Sequence, residues 1–194
     1  MMKYIIIFTV VANTKEKISK MKKIIILFFS ILFVANANAQ ISKAELIANG
    51  LTCSMCSKAC YNQLKTIPFL DSIDTDLEHT KFILYFKPET TFDLKLIKSK
   101  VEDAGFSVGS LVLFMKFDHL TVENDFHYNV GDTTYHFMDT KKQTLNNISQ
   151  VKVIDKGFVS DKEYKKYLKL ASTYPCYKAG KMENIKVLYH IKVI

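Results

Sequence analysis

The chain has 194 residues, enough for one ordinary domain or two small ones, and 48% of them are apolar, which excludes wholesale disorder. The formal net charge of +8 is unevenly spread: residues 1–39 carry +5 and residues 40–194 only +3. All 27 basic residues are lysine and they are scattered; without arginine forks for phosphate and guanine, and without Trp, the charge reads as a solvated lysine surface and nucleic-acid binding is excluded.

Residues 1–39 read as a targeting region rather than as part of the fold. Met21-Lys22-Lys23 is a short positive segment and Ile24 to Ala35 is apolar except for Ser30. Ala37-Asn38-Ala39 places small residues where a signal peptidase reads them, so Met21 is the expected true start and Gln40 the expected mature N-terminus. The apolar run is shorter than the ~18–20 residues of a membrane span, so the mature protein is expected not to be membrane-embedded; an uncleaved anchor is the alternative. The expected localisation is periplasmic or secreted, where cysteines either oxidise or bind metal.

The first mature segment, 40–117, alternates between strand and helix periods. Lys43 to Asn49 reads as a strand with Ala44, Leu46 and Ala48 on one side. Thr52 or Ser54 is placed to cap a helix to about Thr66, with Cys56, Cys60, Leu64 and Ile67 along its apolar stripe and Pro68 as its stop. Phe69 to Leu77 and Lys81 to Phe86 read as strands about a turn at 78–80. Thr90 or Thr91 opens a second helix, whose buried stripe is Leu94, Ile97, Val101 and Ala104 and which Gly105 ends. Phe106 to Phe117 is the last strand. The order is β-α-β-β-α-β, the ferredoxin-like pattern, and the fold class is α+β.

Residues 118–194 are expected to form a second, small β-rich domain with one helix. Phe126 to Val130 and Thr134 to Met138 read as a hairpin about Gly131-Asp132, and Val151 to Ile154 as a strand. Ser160 to Glu163 is a capping-box pattern opening a helix to about Ala171, and Ile185 to Val193 alternates as a half-buried strand. Several strands around one helix suggest a partly open barrel of the oligonucleotide- or oligosaccharide-binding (OB) kind.

Three of the four cysteines, Cys53, Cys56 and Cys60, fall within eight residues. Gly50-Leu51-Thr52-Cys53-Ser54-Met55-Cys56 sits on the loop from the first strand into the first helix. Two thiolates two residues apart converge on one ion, and soft sulfur donors select copper(I) or mercury(II), with zinc a further possibility. A helix start lowers a thiol's pKa, which favours the thiolate a metal requires.

Residues 42–116 resemble the heavy-metal-associated domain of copper chaperones, copper-pumping P-type ATPases and periplasmic mercury-binding proteins. The family motif Gly-Met-Thr-Cys-x-x-Cys is matched by Gly50, Thr52, Cys53 and Cys56, with Leu51 in place of the buried methionine. Leu64 matches the leucine late in the family's first helix, and Ala104-Gly105-Phe106 the segment whose aromatic lies near the metal loop. The resemblance implies that Cys53 and Cys56 are the metal ligands and that a metal-transporting membrane protein is a partner. It implies nothing about 118–194.

Cys60 has two readings, a buried core residue in line with Leu64 or a third sulfur ligand, and the apolar stripe favours the core. Met55 is expected to face solvent. Cys176 has no local partner, and His79, His119, His127, His136 and His190 match no metal-motif spacing, so each reads as an ordinary polar residue. The functional expectation is an exported carrier that binds and transfers copper(I) or a similar thiophilic ion without catalytic turnover. The alternative is an extracytoplasmic dithiol-disulfide oxidoreductase using the same two cysteines.

Overall fold

Alternation along 43–49 places Ala44, Leu46 and Ala48 in the core, with Ile41 joining them across a register shift, and this row fixes where the rest of the sheet must pack. A computed structural model describes residues 41–76, 78–88, 92–170, 174–182 and 185–194. The signal-peptide reading of 1–39, with Met21 as start and Gln40 as mature N-terminus, lies outside the described residues, as do Thr90 and Thr91.

β1 (Ile41–Asn49), α1 (Ser54–Leu64), β2 (Leu70–Asp76), β3 (Lys81–Phe86), α2 (Leu94–Asp103) and β4 (Ser107–Val122) follow the β-α-β-β-α-β order read from the sequence. β1 lies between β3 and β4, antiparallel to both, and β2 is antiparallel to β3. Leu46 stands opposite Phe82 on one side and Leu111 on the other; Ala44 stands opposite Leu84 and Leu113. All of these are buried and join Cys60 and Leu64 of α1 and Leu94, Ile97 and Val101 of α2 in one apolar cluster. Burial of a Leu- or Phe-sized side chain contributes about 1.5–3 kcal/mol, so this row and its helical cover hold the unit together.

The helix starts differ in detail from expectation. Cys53 itself caps α1, with extended backbone (φ −150°, ψ 161°). Asp93 caps α2, its carboxylate accepting from the Lys95 amide at 2.9 Å.

Residues 118–194 do not form a separate barrel-like unit among the described residues. β5 (Phe126–Val130), β6 (Thr133–Phe137), β7 (Gln143–Val153) and β8 (Val187–Val193) extend the first sheet, giving the strand order β2-β3-β1-β4-β7-β8-β6-β5. β4 is 16 residues long and pairs along its outer side with β7, from Val112 opposite Lys152 to Val122 opposite Gln143. A strand left at a sheet edge presents unpaired amides and carbonyls; β7 satisfies those of β4. The sheet is open, with β2 and β5 at its ends. The expected single helix is accompanied by a second: α3 (Asp161–Leu170) and the short α4 (Pro175–Ala179). Ser160 accepts from the Glu163 amide at 3.2 Å, but the Glu163 carboxylate turns to Lys152, so only half of the capping box forms.

The two segments share a core. Tyr189 of β8 is buried beside α2, where its hydroxyl accepts from the Leu94 amide at 3.0 Å and donates to Asp93 at 3.1 Å. Among the described residues no helix is long and apolar enough to cross a membrane.

Candidate metal centre

The loop between β1 and α1 begins at Gly50, whose φ of +90° is disfavoured for any residue with a Cβ. A Cβ there would lie 3.4 Å from the Phe106 ring, so the aromatic expected near the metal loop does pack against it. Leu51 packs on the edge of the core. The chain then turns so that Cys53 is the cap and Cys56 the third residue of α1.

Cys53 is exposed and Cys56 half-buried. Their sulfurs are 2.8 Å apart, well beyond the ~2.05 Å of a disulfide bond. The Cys56 backbone N–H donates to the Cys53 sulfur at 3.3 Å, doing for the thiol what a serine or aspartate oxygen does at an ordinary N-cap. The Cys56 thiol first, and then the Cys56 amide, hold the Cys53 thiol below its ordinary pKa, because both donate to the thiolate. Cys53 is thereby held toward the thiolate that a soft ion requires.

A cleft of about 250 Å³ opens beside Cys53, lined among others by Ser57, Asp76, Lys81 and Phe82. Lys81 carries no free charge into it: its ammonium is 3.0 Å from Glu45 and 3.8 Å from Asp76, and the hydrogen bond to Glu45 is the main reason its pKa is raised.

Two sulfur ligands on opposite sides of one ion, each with a bond of ~2.3 Å, stand roughly 4.6 Å apart. The pair must open by about 1.8 Å from its present contact to reach that span. Cys53, exposed ahead of the helix, has room to swing; Cys56 is anchored on the first turn. The donor set fits a soft ion on that condition.

Cys60 is fully buried with Leu64 and Ile67, and burial alone pushes its thiol up to about 11. A neutral thiol in the core is a packing residue, which sets it apart from the two cysteines of the loop. Met55 is 71% exposed, facing solvent as expected. His79 sits in the turn before β3, its ring 3.0 Å from Asp76, and His119 is exposed on the β4 bulge.

The remaining histidines and Cys176 are not the isolated residues that their spacing implied. His127, His136 and Cys176 each offer a donor atom within 4.8 Å of the others. His136 and His190 are fully buried, and burial first, then the neighbouring His127 and His190, push the His136 ring down to about 4 against the pull of Asp125. Part of this grouping was legible: a two-residue turn at Gly131-Asp132 forces His127 opposite His136, as observed. The approach of Cys176 and His190 from far along the chain had no local signal.

Several solved structures are similar to part of this chain. One is a CopZ metallochaperone, 25% identical, covering 34% of this chain and 98% of that one at a TM-score of 0.31. Another is the yeast copper transporter domain CCC2A, solved in apo and Cu(I)-loaded states, 28% identical over 34% of this chain and 88% of that one at a TM-score of 0.30. A third is apo-CopP from Helicobacter pylori, 27% identical over 34% and 97%, at a TM-score of 0.30. No family model and no curated protein matches the chain.

Proposed function

We propose that the protein is an exported, non-catalytic carrier that binds copper(I) between Cys53 and Cys56 and passes it to a metal-transporting membrane protein. The observation that carries this reading is the sulfur pair itself: two thiols in contact at a helix start, one exposed and held toward its thiolate. Thiolate donors favour copper(I) over harder ions; mercury(II) shares that preference, and zinc would need further ligands to complete four-coordination.

Loading costs the pair its protons. An arriving ion displaces both thiol protons, including the one shared between the sulfurs, and the sulfurs part to hold it. Unloading follows from the difference in exposure: an incoming thiolate from an acceptor reaches the ion past Cys53, whose bond is the one free to break. The same contact makes the pair easy to oxidise to a disulfide outside the cytoplasm, and that disulfide would have to be reduced before an ion could bind.

Two measurements test the reading. Protein purified anaerobically with reductant should hold one copper(I) in this loop, and X-ray absorption should show sulfur neighbours only. Nitrogen or oxygen as the main neighbours of that ion would contradict it. For export, N-terminal sequencing of protein from its native host should begin at Gln40; a retained, membrane-embedded Met21 segment would overturn the cleaved-signal reading.

A further inference from the structure

The sheet register builds a row of imidazoles far from the cysteine loop. His127 on β5 stands opposite His136 on β6, and His136 stands beside His190 on the parallel neighbour β8. The rings of His127 and His136 stack at 4.2 Å between centroids, and the His190 ring meets that of His136 edge-on at 5.2 Å. α4 brings Cys176 onto this row, its sulfur 3.5 Å from His136 Nδ1.

Each inner ring is oriented by a carboxylate. His136 Nε2 is 2.8 Å from Asp125, and His190 Nδ1 is 2.6 Å from Asp155, which also accepts from the His190 backbone N–H at 2.9 Å. A carboxylate that takes the proton of one ring nitrogen leaves the other nitrogen as a bare lone pair, the arrangement that supports histidine ligands of metals. In His136 that bare nitrogen is Nδ1, facing Cys176. Two further ring nitrogens, His127 Nε2 and His190 Nε2, are buried without a hydrogen-bond partner. Leaving a buried polar atom unpaired is costly, and two in one row call for a ligand.

We infer that His127, His136 and Cys176 form a second metal site, for a borderline ion such as Zn²⁺ or Cu²⁺ that accepts mixed nitrogen and sulfur donors. Tetrahedral donors at bonds of ~2.0–2.3 Å stand roughly 3.3–3.8 Å apart, and the Cys176–His136 separation of 3.5 Å already meets that. The His127 lone pair does not yet converge, because its ring lies parallel to that of His136. His127 is half-buried, and the site requires its ring to turn about the Cβ–Cγ bond so that a nitrogen faces the ion. The fourth position falls to solvent or to His190. Binding removes the thiol proton of Cys176, which leaves to water as the metal–sulfur bond forms. Four strand spacings, roughly 19 Å, separate β1 from β6, so one ion cannot serve both this site and the cysteine loop.

The test uses the full mature chain with Cys53→Ser and Cys56→Ser together, which removes the first pair, under reducing and anaerobic conditions. Titration with Co²⁺ should give one equivalent bound, a near-ultraviolet sulfur-to-cobalt charge-transfer band and intense low-coordinate visible bands, all displaced by one equivalent of Zn²⁺. Adding Cys176→Ser should abolish the charge-transfer band, and His127→Ala should weaken Co²⁺ binding at least tenfold; circular dichroism checks that each variant is folded. His127 is not in the core, so that variant keeps the test usable should Cys176→Ser misfold. No cobalt band in the double variant, a band that survives Cys176→Ser, or an affinity unmoved by His127→Ala would each overturn the proposal.

Discussion

Tyr189→Phe isolates the joint between the two halves of the chain. The Tyr189 hydroxyl is buried and is the acceptor for the Leu94 amide, one of the first-turn N–H groups of α2 that no helical carbonyl can reach. Phenylalanine keeps the ring and its packing and removes only the oxygen. Asp93 loses one donor as well, but it is exposed and keeps the Lys95 amide, so water makes up that loss. The Leu94 amide has no such remedy, since Leu94 is fully buried. An orphaned buried donor costs ~1–3 kcal/mol, and we take about 2. For a chain of this size each kcal/mol lowers Tm by ~2–4 °C, so the expected drop is roughly 4–8 °C. Calorimetry at neutral pH with the cysteines reduced measures it. A drop below about 1 °C would mean that β8 does not complete the α2 cap, and the shared core described above would be wrong at its central contact.

Gly50→Ala places a Cβ at φ +90° against the Phe106 ring and should cost about 1–2 kcal/mol, read as a lower urea midpoint; an unchanged midpoint would refute the loop geometry. Native-state alkylation mapped by mass spectrometry from about pH 6 to 9 should modify Cys53 at a lower pH than an ordinary thiol. Its pKa is depressed, so its thiolate is already forming there, whereas Cys60, pushed up to about 11, stays neutral and unmodified across the range; equal rates at the two would contradict both assignments. Residues 40–117 expressed alone should still give dispersed amide spectra, because β1 to β4 with α1 and α2 supply most of the shared apolar cluster, which Val151, Val153, Tyr189 and Ile191 help complete. That fragment should melt below the full chain for want of β7 and Tyr189, and a molten or aggregating product would show that the later strands are required for folding.

What could be read from the sequence was whatever local pattern dictates. The two-residue period of β1 and the stripe Leu94, Ile97, Val101 each name a buried face without reference to the rest of the chain, and both faces are buried as expected. The CxxC segment was legible as a loop into a helix, although Thr52 or Ser54 was expected as the cap and Cys53 took that place by offering its sulfur to the Cys56 amide. β7 carries no strand period over Gln143 to Gln150, which is mostly polar and exposed apart from the buried Leu145; only its pairing with β4 makes it a strand. The parallel pairing of β6 with β8 joins residues far apart in the chain, and no local period announces it. The histidine row was half legible, through the hairpin register, and half not, because His190 and Cys176 arrive from separate elements.

The central claim is that two sulfurs, Cys53 and Cys56, hold the carried ion. Competition with a copper(I) chelator under anaerobic, reducing conditions tests it most directly, in a Cys176→Ser background that removes the one sulfur of the histidine row. Cys53→Ser and Cys56→Ser should each abolish tight binding, since one remaining thiolate cannot satisfy even a two-coordinate soft ion. Cys60→Val should keep the affinity within about tenfold, ~1.4 kcal/mol, because valine fills a similar core volume. If Cys60→Val loses as much as Cys56→Ser, the site is a three-sulfur one; if the background protein binds no more tightly than its Cys53→Ser variant, copper carriage through this loop is refuted.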